Sequence, residues 1–334
     1  FGGMANVPVP CELAAASQNN LLSFLAAGAG PPIECRHVRA AMALRANVLM
    51  QGCSGIRLEI IERLIRFLNA NATPVVRELG SIGASGDLVP LSTIARAITG
   101  KPRFVRVRIG NREVDGATAL KELGLTPIDL RPKEGLAIVN GTSFSAAIAA
   151  NCIDEAKTSM AVALGAQSMM LRALRVQSEP FQDFVHQCKP HPGQAWTAQI
   201  MLRLLHDGNV TRHSNNGNNN GNGKTNDVQD RYSLRCFPQY MGPIAEGIAR
   251  ITKVVETEMN SVSDNPLIDV DNQRFYQSGN FLGQYVGIAM DDLRRFVGLM
   301  SKHLDVQIAS LVAPEFSRGL PSSLRGNDDL SYNM

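Results

Sequence analysis

The chain has 334 residues, 44% of them hydrophobic and 19% charged, with a net charge of +3. That apolar share excludes an intrinsically disordered chain, and the lack of a Gly-X-Y period excludes collagen. Aromatic residues make up only 5%, which favours packed helices over a β-sandwich built from Val, Thr, Tyr and Phe. The fold class is therefore read as all-α, an elongated bundle of long helices decorated with small β-hairpins.

In chain order, 10–28 and 34–53 read as helices separated at Pro31-Pro32, with Val38, Met42, Arg45 and Leu49 at near-3.6 spacing. Ile56, Ile60, Leu64 and Phe67 share one face of a third amphipathic stretch, and a further helix begins near Asp87. Phe104 to Ile109 alternates with period two and turns at Gly110-Asn111 towards Arg112–Val114, which predicts a hairpin. The longest periodic run, Ser143 to Arg175, steps through Phe144, Ile148, Cys152, Ala156, Met160 and onward by three or four. Between it and two more long helices, 241–261 and 280–312, lies Ser214 to Lys224, dominated by Asn and Gly. Such a stretch cannot bury enough apolar surface to order itself, so 207–228 reads as a flexible loop. Leu267–Val270, followed by Asp271-Asn272, predicts a second hairpin.

Basic residues are scattered rather than striped, which argues against a nucleic-acid partner. The six cysteines show no CxxC pairing and read as free thiols of a reducing, cytoplasmic compartment. No metal-ligand spacing appears among the histidines. No run approaches the roughly 18 apolar residues that a membrane span requires, so no membrane partner is expected.

The stretch Gly80 to Ser92 carries the chemistry. By itself Ala84-Ser85-Gly86 is a small-residue turn leading into a helix. Held in a tight bend, however, the Gly86 nitrogen can attack the Ala84 carbonyl carbon. Loss of the carbonyl oxygen and of the Ser85 hydroxyl as two waters then leaves a methylidene-imidazolone. Small residues are needed because the two backbone atoms must reach bonding distance. The helix that follows offers its positive N-terminal end to electron density pushed into the ring.

Gly83–Leu88, Leu136–Ser143, Gln229–Arg235 and Ser261–Asp269, in this order, closely resemble the aromatic amino acid ammonia-lyase family, and phenylalanine-specific bacterial members above all. The resemblance runs through the whole chain, with the Asn/Gly loop as its main departure. It implies a single helical domain over 1–334 and no added cofactor, the electrophile forming autocatalytically from Ala84, Ser85 and Gly86. It implies a homotetramer whose active sites are shared between subunits. Arg235 falls on the family's carboxylate-binding Arg, Tyr232 on its active-site Tyr and Gln229 on a supporting Gln. If 229–235 is helical, the three point roughly to one side. Asn140 falls on an Asn that hydrogen-bonds near the ring, Asn265 on an active-site amide, and Phe281 on the aromatic close to the electrophile. Read from the residues alone, Asn140-Gly141-Thr142 is a helix-start turn, Asp264-Asn265-Pro266 a turn before a hairpin, and Tyr232 a packing residue.

Phe24-Leu25 lies at the family's selectivity position, although an apolar pair in a helix also reads as core. As a pocket wall it offers nothing to a tyrosine hydroxyl or an imidazole, whose burial without a partner costs ~1–3 kcal/mol. With Leu88 and Leu136 extending the wall, the substrate read here is L-phenylalanine, converted to trans-cinnamate and ammonium. A phenylalanine 2,3-aminomutase and a catalytically inactive helical scaffold are the alternatives. Family members carry a catalytic Tyr shortly before the position of Phe1, and a Lys and an acidic residue beyond Met334. The chain is thus expected to be an internal segment that does not turn over alone.

Overall fold

The computed structural model describes residues 6–101, 104–206 and 229–326. The loop expected at 207–228 lies outside them. The elements in chain order are α1 (Ala14–Phe24), β1 (Ala29–Pro32), α2 (Cys35–Met50), α3 (Leu58–Asn69), β2 (Ala72–Pro74), β3 (Arg77–Leu79) and α4 (Leu88–Thr99). There follow β4 (Arg106–Ile109), β5 (Arg112–Asp115), α5 (Gly116–Glu122), α6 (Glu134–Val139), α7 (Ser143–Ala173), α8 (Asp183–Gln187) and α9 (Pro192–His206). The series ends with α10 (Tyr232–Arg235), α11 (Phe237–Met259), β6 (Leu267–Asp269), β7 (Arg274–Tyr276) and α12 (Gln284–Val312). Two compact units divide the chain: Phe1–Cys152 with Lys253–Ala289, and Ile153–Thr252 with Met290–Met334.

In the first unit the core is the joint product of the apolar faces of α1 to α6 and the start of α7. Leu22, Val38, Met42, Leu49, Ile60, Leu64, Phe67, Leu91, Ile94 and Ile98 are all buried there. Each such aliphatic side chain contributes ~1.5–3 kcal/mol on burial. The period predicted for α2 and α3 is the one that packs, since Ile60, Leu64 and Phe67 are fully buried. Ile56 is only partly buried and precedes α3, whose N-cap residue Arg57 is extended at φ −74° and ψ 146°.

Other boundaries also move. The helix expected over 10–28 is confined to α1, preceded by a single 3-10 turn at Cys11–Leu13. Pro31-Pro32 is not a simple break: β1 pairs antiparallel with β3, Ala29 opposite Leu79 and Pro32 opposite Arg77. In this two-stranded sheet a proline lacking N–H is tolerated on the free edge. The first hairpin begins at Arg106, since Phe104 turns out to solvent with φ 79°. It also gains β2 as a third strand, in the order β2-β4-β5, with Val107 buried beneath it. The second hairpin forms as read, Leu267 opposite Tyr276 and Asp269 opposite Arg274.

In the second unit small residues let helices approach closely. A Cβ on Gly193 would overlap Gly242, and one on Gly247 would overlap the Phe296 ring, so α9 packs on α11 and α11 on α12. Arg250 bridges to Asp292 at 2.6 Å across the latter pair. The segment 229–235 is helical only at α10, leaving Gln229 outside it. The i, i+3, i+6 face expected for Gln229, Tyr232 and Arg235 therefore does not form, because a four-residue helix holds barely one turn. Among the described residues no helix is long and apolar enough to cross a membrane.

Glu134, at the start of α6, is buried and receives Arg57 twice, Nε to Oε1 at 2.7 Å and Nη2 to Oε2 at 2.8 Å, with the Arg131 amide at 2.6 Å. Burial is the largest single influence and pushes this carboxyl up. The hydrogen bonds from Arg57 and the Arg131 amide, with the Arg57 charge, outweigh it and hold the group below its ordinary range. A depressed folded-state pKa stabilises the fold above the unfolded pKa and ceases to do so as pH falls through the folded value. Glu134→Gln is expected to cost about 2 kcal/mol in urea unfolding at pH 7. That difference should shrink below about pH 4, and a constant difference down to pH 3 would contradict the assignment.

Candidate active site

The geometry starts at a bend. Gly83 and Gly86 take φ of 70° and 74°, and bridges join Gly83 to Gly86 and Ala84 to Gly86. The turn between α6 and α7 lies directly against it: Gly86 bridges to Gly141, and the Asp87 amide donates to the Gly141 carbonyl at 2.8 Å. A Cβ at Gly86 would overlap the Gly141 backbone, and one at Gly141 would overlap Ser263 and crowd Arg45. Glycine is required at both positions for want of space as well as for φ.

Asn140 reaches from this turn onto Ser85. Its buried side chain donates from Nδ2 to Ser85 O at 2.8 Å and lies 3.0 Å from Ser85 Oγ, while Oδ1 is buried with no partner among the described residues. Asp87 fixes the other side. Its carboxylate accepts from Ser81 Oγ at 2.9 Å, and from Ser145 N and Oγ at 2.7 and 2.9 Å. Although Asp87 precedes α4 in sequence, its side chain caps α7. The first amides of α4 are thereby left uncapped beside Gly86.

Beneath the turn lies Arg45, fully buried. It donates to Ala137 O from Nε (3.1 Å) and Nη2, and from Nη1 to Ser263 O at 3.0 Å and Ser143 Oγ at 3.4 Å. Desolvation lowers its pKa to about 10, opposed by the charges of Asp264 and Asp87, so it stays cationic at neutral pH. Asp264 is itself fully buried and accepts from Lys133 Nζ at 2.7 Å and from the Asn265 amide at 2.7 Å. Burial, more than the Asp264 charge can offset, pulls the Lys133 ammonium below its ordinary range.

The remaining predicted residues fall as follows. Leu25 is in the core, and Leu88 and Leu136 pack partly buried against the same core. Two contacts bring their helices together. Gln18 of α1 accepts from the Gly135 and Leu136 amides of α6 at 3.1 and 3.4 Å, and Ser92 of α4 donates to Leu22 O at 3.1 Å. Phe24 points away, 82% exposed. Asn265 uses its Oδ1 to accept from Ser278 N at 2.6 Å, and Phe281 is half-buried.

In the second unit the Arg235 guanidinium stacks on the Tyr232 ring, 4.9 Å from its centre. Arg235 Nε is buried without a partner among the described residues, while Tyr232 and Gln229 are exposed. The segment is anchored by buried Asp230, which accepts from Gln177 N at 2.8 Å and from Arg318, and by Gln307, which donates to Ser233 O at 3.0 Å.

Sequence reasoning missed Arg45, Gln18, Asp230 and the capping role of Asp87. One signal was available: Arg45 stands on the apolar stripe of α2, where a charge has no ordinary reason to be. Nothing local marks the other three, whose partners are 53 to 117 residues away.

In this helical fold a glycine-lined Ala-Ser-Gly bend is crowded against an asparagine. The chain belongs to the aromatic amino acid lyase family, whose model matches residues 1–334. It is 54% identical over its full length to the phenylalanine ammonia-lyase of Nostoc punctiforme, and 45% to an aromatic ammonia-lyase of Loktanella atrilutea. It spans 58% and 61% of those two proteins. The structure of phenylalanine aminomutase from Pantoea agglomerans superposes with a TM-score of 0.91 at 32% identity, covering 98% of this chain and 64% of that one. Phenylalanine ammonia-lyase from Rhodosporidium toruloides gives 0.88 at 32%, covering 96% and 50%.

Asp87→Ala removes two hydrogen bonds at the start of α7 and one from Ser81. It is expected to lower stability by about 2 kcal/mol in urea unfolding, with Asp87→Asn, which keeps one acceptor, losing less. An unchanged midpoint for Asp87→Ala would refute the cap.

Proposed function

We propose that the protein deaminates L-phenylalanine to trans-cinnamate and ammonium, using a methylidene-imidazolone made from Ala84, Ser85 and Gly86. The observation that carries this reading is the Asn140 amide on Ser85 O and Oγ, within a bend whose glycines have no room for a Cβ. The residues present fit the group. The bend is already tight, the Asn140 Oδ1 lacks a partner among the described residues, and the uncapped N-terminal amides of α4 adjoin Gly86. Once formed, the group supplies an electrophile for the substrate amine, so that a poor leaving group can depart.

The rest is the work of side chains. Arg235, with a buried donor to spare and its plane fixed on Tyr232, suits a substrate carboxylate. Leu25, Leu88 and Leu136 present no donor or acceptor, which suits an unsubstituted phenyl ring. Asn140 orients Ser85, while Asn265, Phe281, Gln229 and Tyr232 complete the set that the family likeness assigns. A homotetramer with shared sites accords with exposed Tyr285, Ile288, Leu299 and Ile308 along α12. A cytoplasmic location accords with six cysteines that form no disulfide among the described residues.

The Pantoea likeness favours one second reading, an aminomutase that returns ammonia to the β-carbon. The 54% identity to the Nostoc lyase over all 334 residues favours the lyase. Intact protein given L-phenylalanine and no added cofactor is expected to develop the absorbance of cinnamate, with little β-phenylalanine by chromatography. Ser85→Ala should reduce that turnover at least a thousandfold, roughly the share of a covalent catalyst. Full activity in Ser85→Ala would overturn the electrophile, and β-phenylalanine as main product would replace lyase by mutase.

A further inference from the structure

We propose that Arg45 is the positioning residue that holds the Asn140–Thr142 turn against the Ala84-Ser85-Gly86 bend, and so governs whether the bend cyclises. The proposal rests on the functional reading above and assigns a role to a residue outside the substrate-facing set. The guanidinium brackets the turn. It donates to Ala137 O, three residues before Asn140, to Ser143 Oγ, three residues after, and to Ser263 O on a third segment. No carboxylate pairs with it among the described residues, although Asp264 and Asp87 attract it at longer range. A buried cation without a paired anion is costly, and an apolar side chain would fill the volume more cheaply. What an apolar residue or a lysine lacks is the rigid planar fork that reaches three acceptors at once.

The turn passes this placement directly to the bend. Gly141 lies against Arg45 Nη1 on one side and bridges to Gly86 on the other. Ring closure needs the Gly86 nitrogen within bonding reach of the Ala84 carbonyl carbon, and a shift of ~1 Å in such an alignment costs on the order of a hundredfold. Loosening the Arg45 clamp releases Gly141, hence Gly86, and with it the Asn140 amide on Ser85.

The test measures ring content separately from turnover. Arg45→Met and Arg45→Lys are made in the intact protein, and folding is followed by far-UV circular dichroism and urea unfolding. The peptide containing Ser85 is then weighed by mass spectrometry for the loss of two waters. The expected result is a folded Arg45→Met protein whose dehydrated fraction is at least tenfold below the parent. Its kcat per total protein falls by at least as much, and its KM for phenylalanine stays within about threefold. Arg45→Lys keeps the charge without the fork and is expected to lie between. Should Arg45→Met fail to fold, Arg45→Lys decides. Complete dehydration in whichever folded variant is read overturns the role of Arg45 alone. A parent that is itself undehydrated overturns the functional reading and this proposal together.

Discussion

Two backbones that touch without side chains between them, Gly86 against Gly141, set the constraint from which the site around Ser85 follows. The contact has room for hydrogen only, so the bend at 83–86 and the turn at 140–142 keep a fixed register. With that register set, the Asp87 amide meets the Gly141 carbonyl and the Asp87 carboxylate meets the start of α7. Asn140 then has only one place for its amide, on Ser85. Two segments distant in sequence are joined by backbone shape before any side-chain chemistry is involved.

Buried charge holds this arrangement. Arg45, Asp87, Glu134 and Asp264 are all nearly or wholly removed from water. Each is satisfied by backbone or hydroxyl groups of several segments, or by a cation, rather than by one isolated ion pair. Such networks are costly to desolvate and gain little net stability. Their effect is to make one arrangement of loops far better than its neighbours, because any slip strands a charge without partners. The register of the Gly86–Gly141 contact depends on that discrimination more than on extra stability.

The helices supply rigidity and the connections supply chemistry, as is common where function sits on loops carried by a scaffold. In the first unit α1, α4 and α6 carry Leu25, Leu88 and Leu136 into or against one core, tied by Gln18 and Ser92. In the second, α10 is a single turn anchored by Asp230 and Gln307, with Arg235 stacked on Tyr232. Lyase and aminomutase are both found among the relatives, so this framework serves either outcome.

By itself the sequence determined the helical class, the faces of α2 and α3, both hairpins and the order of the motifs. These depend on periodicity and turn chemistry, which act over a few residues. It also placed Ala84, Ser85, Gly86 and Asn140 in one family pattern, and the structure brings Asn140 onto Ser85. Tertiary structure alone decided which neighbours the polar groups found. The helix expected near Asp87 forms as α4, while the Asp87 side chain caps α7. Phe24 and Leu25, adjacent in sequence, point to solvent and to core. Gln229 leaves the helix that was to align it with Tyr232, and Arg45, one charge on an apolar stripe, donates to Ala137 O, 92 residues away. Local spacing cannot reveal such partners, because they are fixed by packing between segments that only the folded chain brings together.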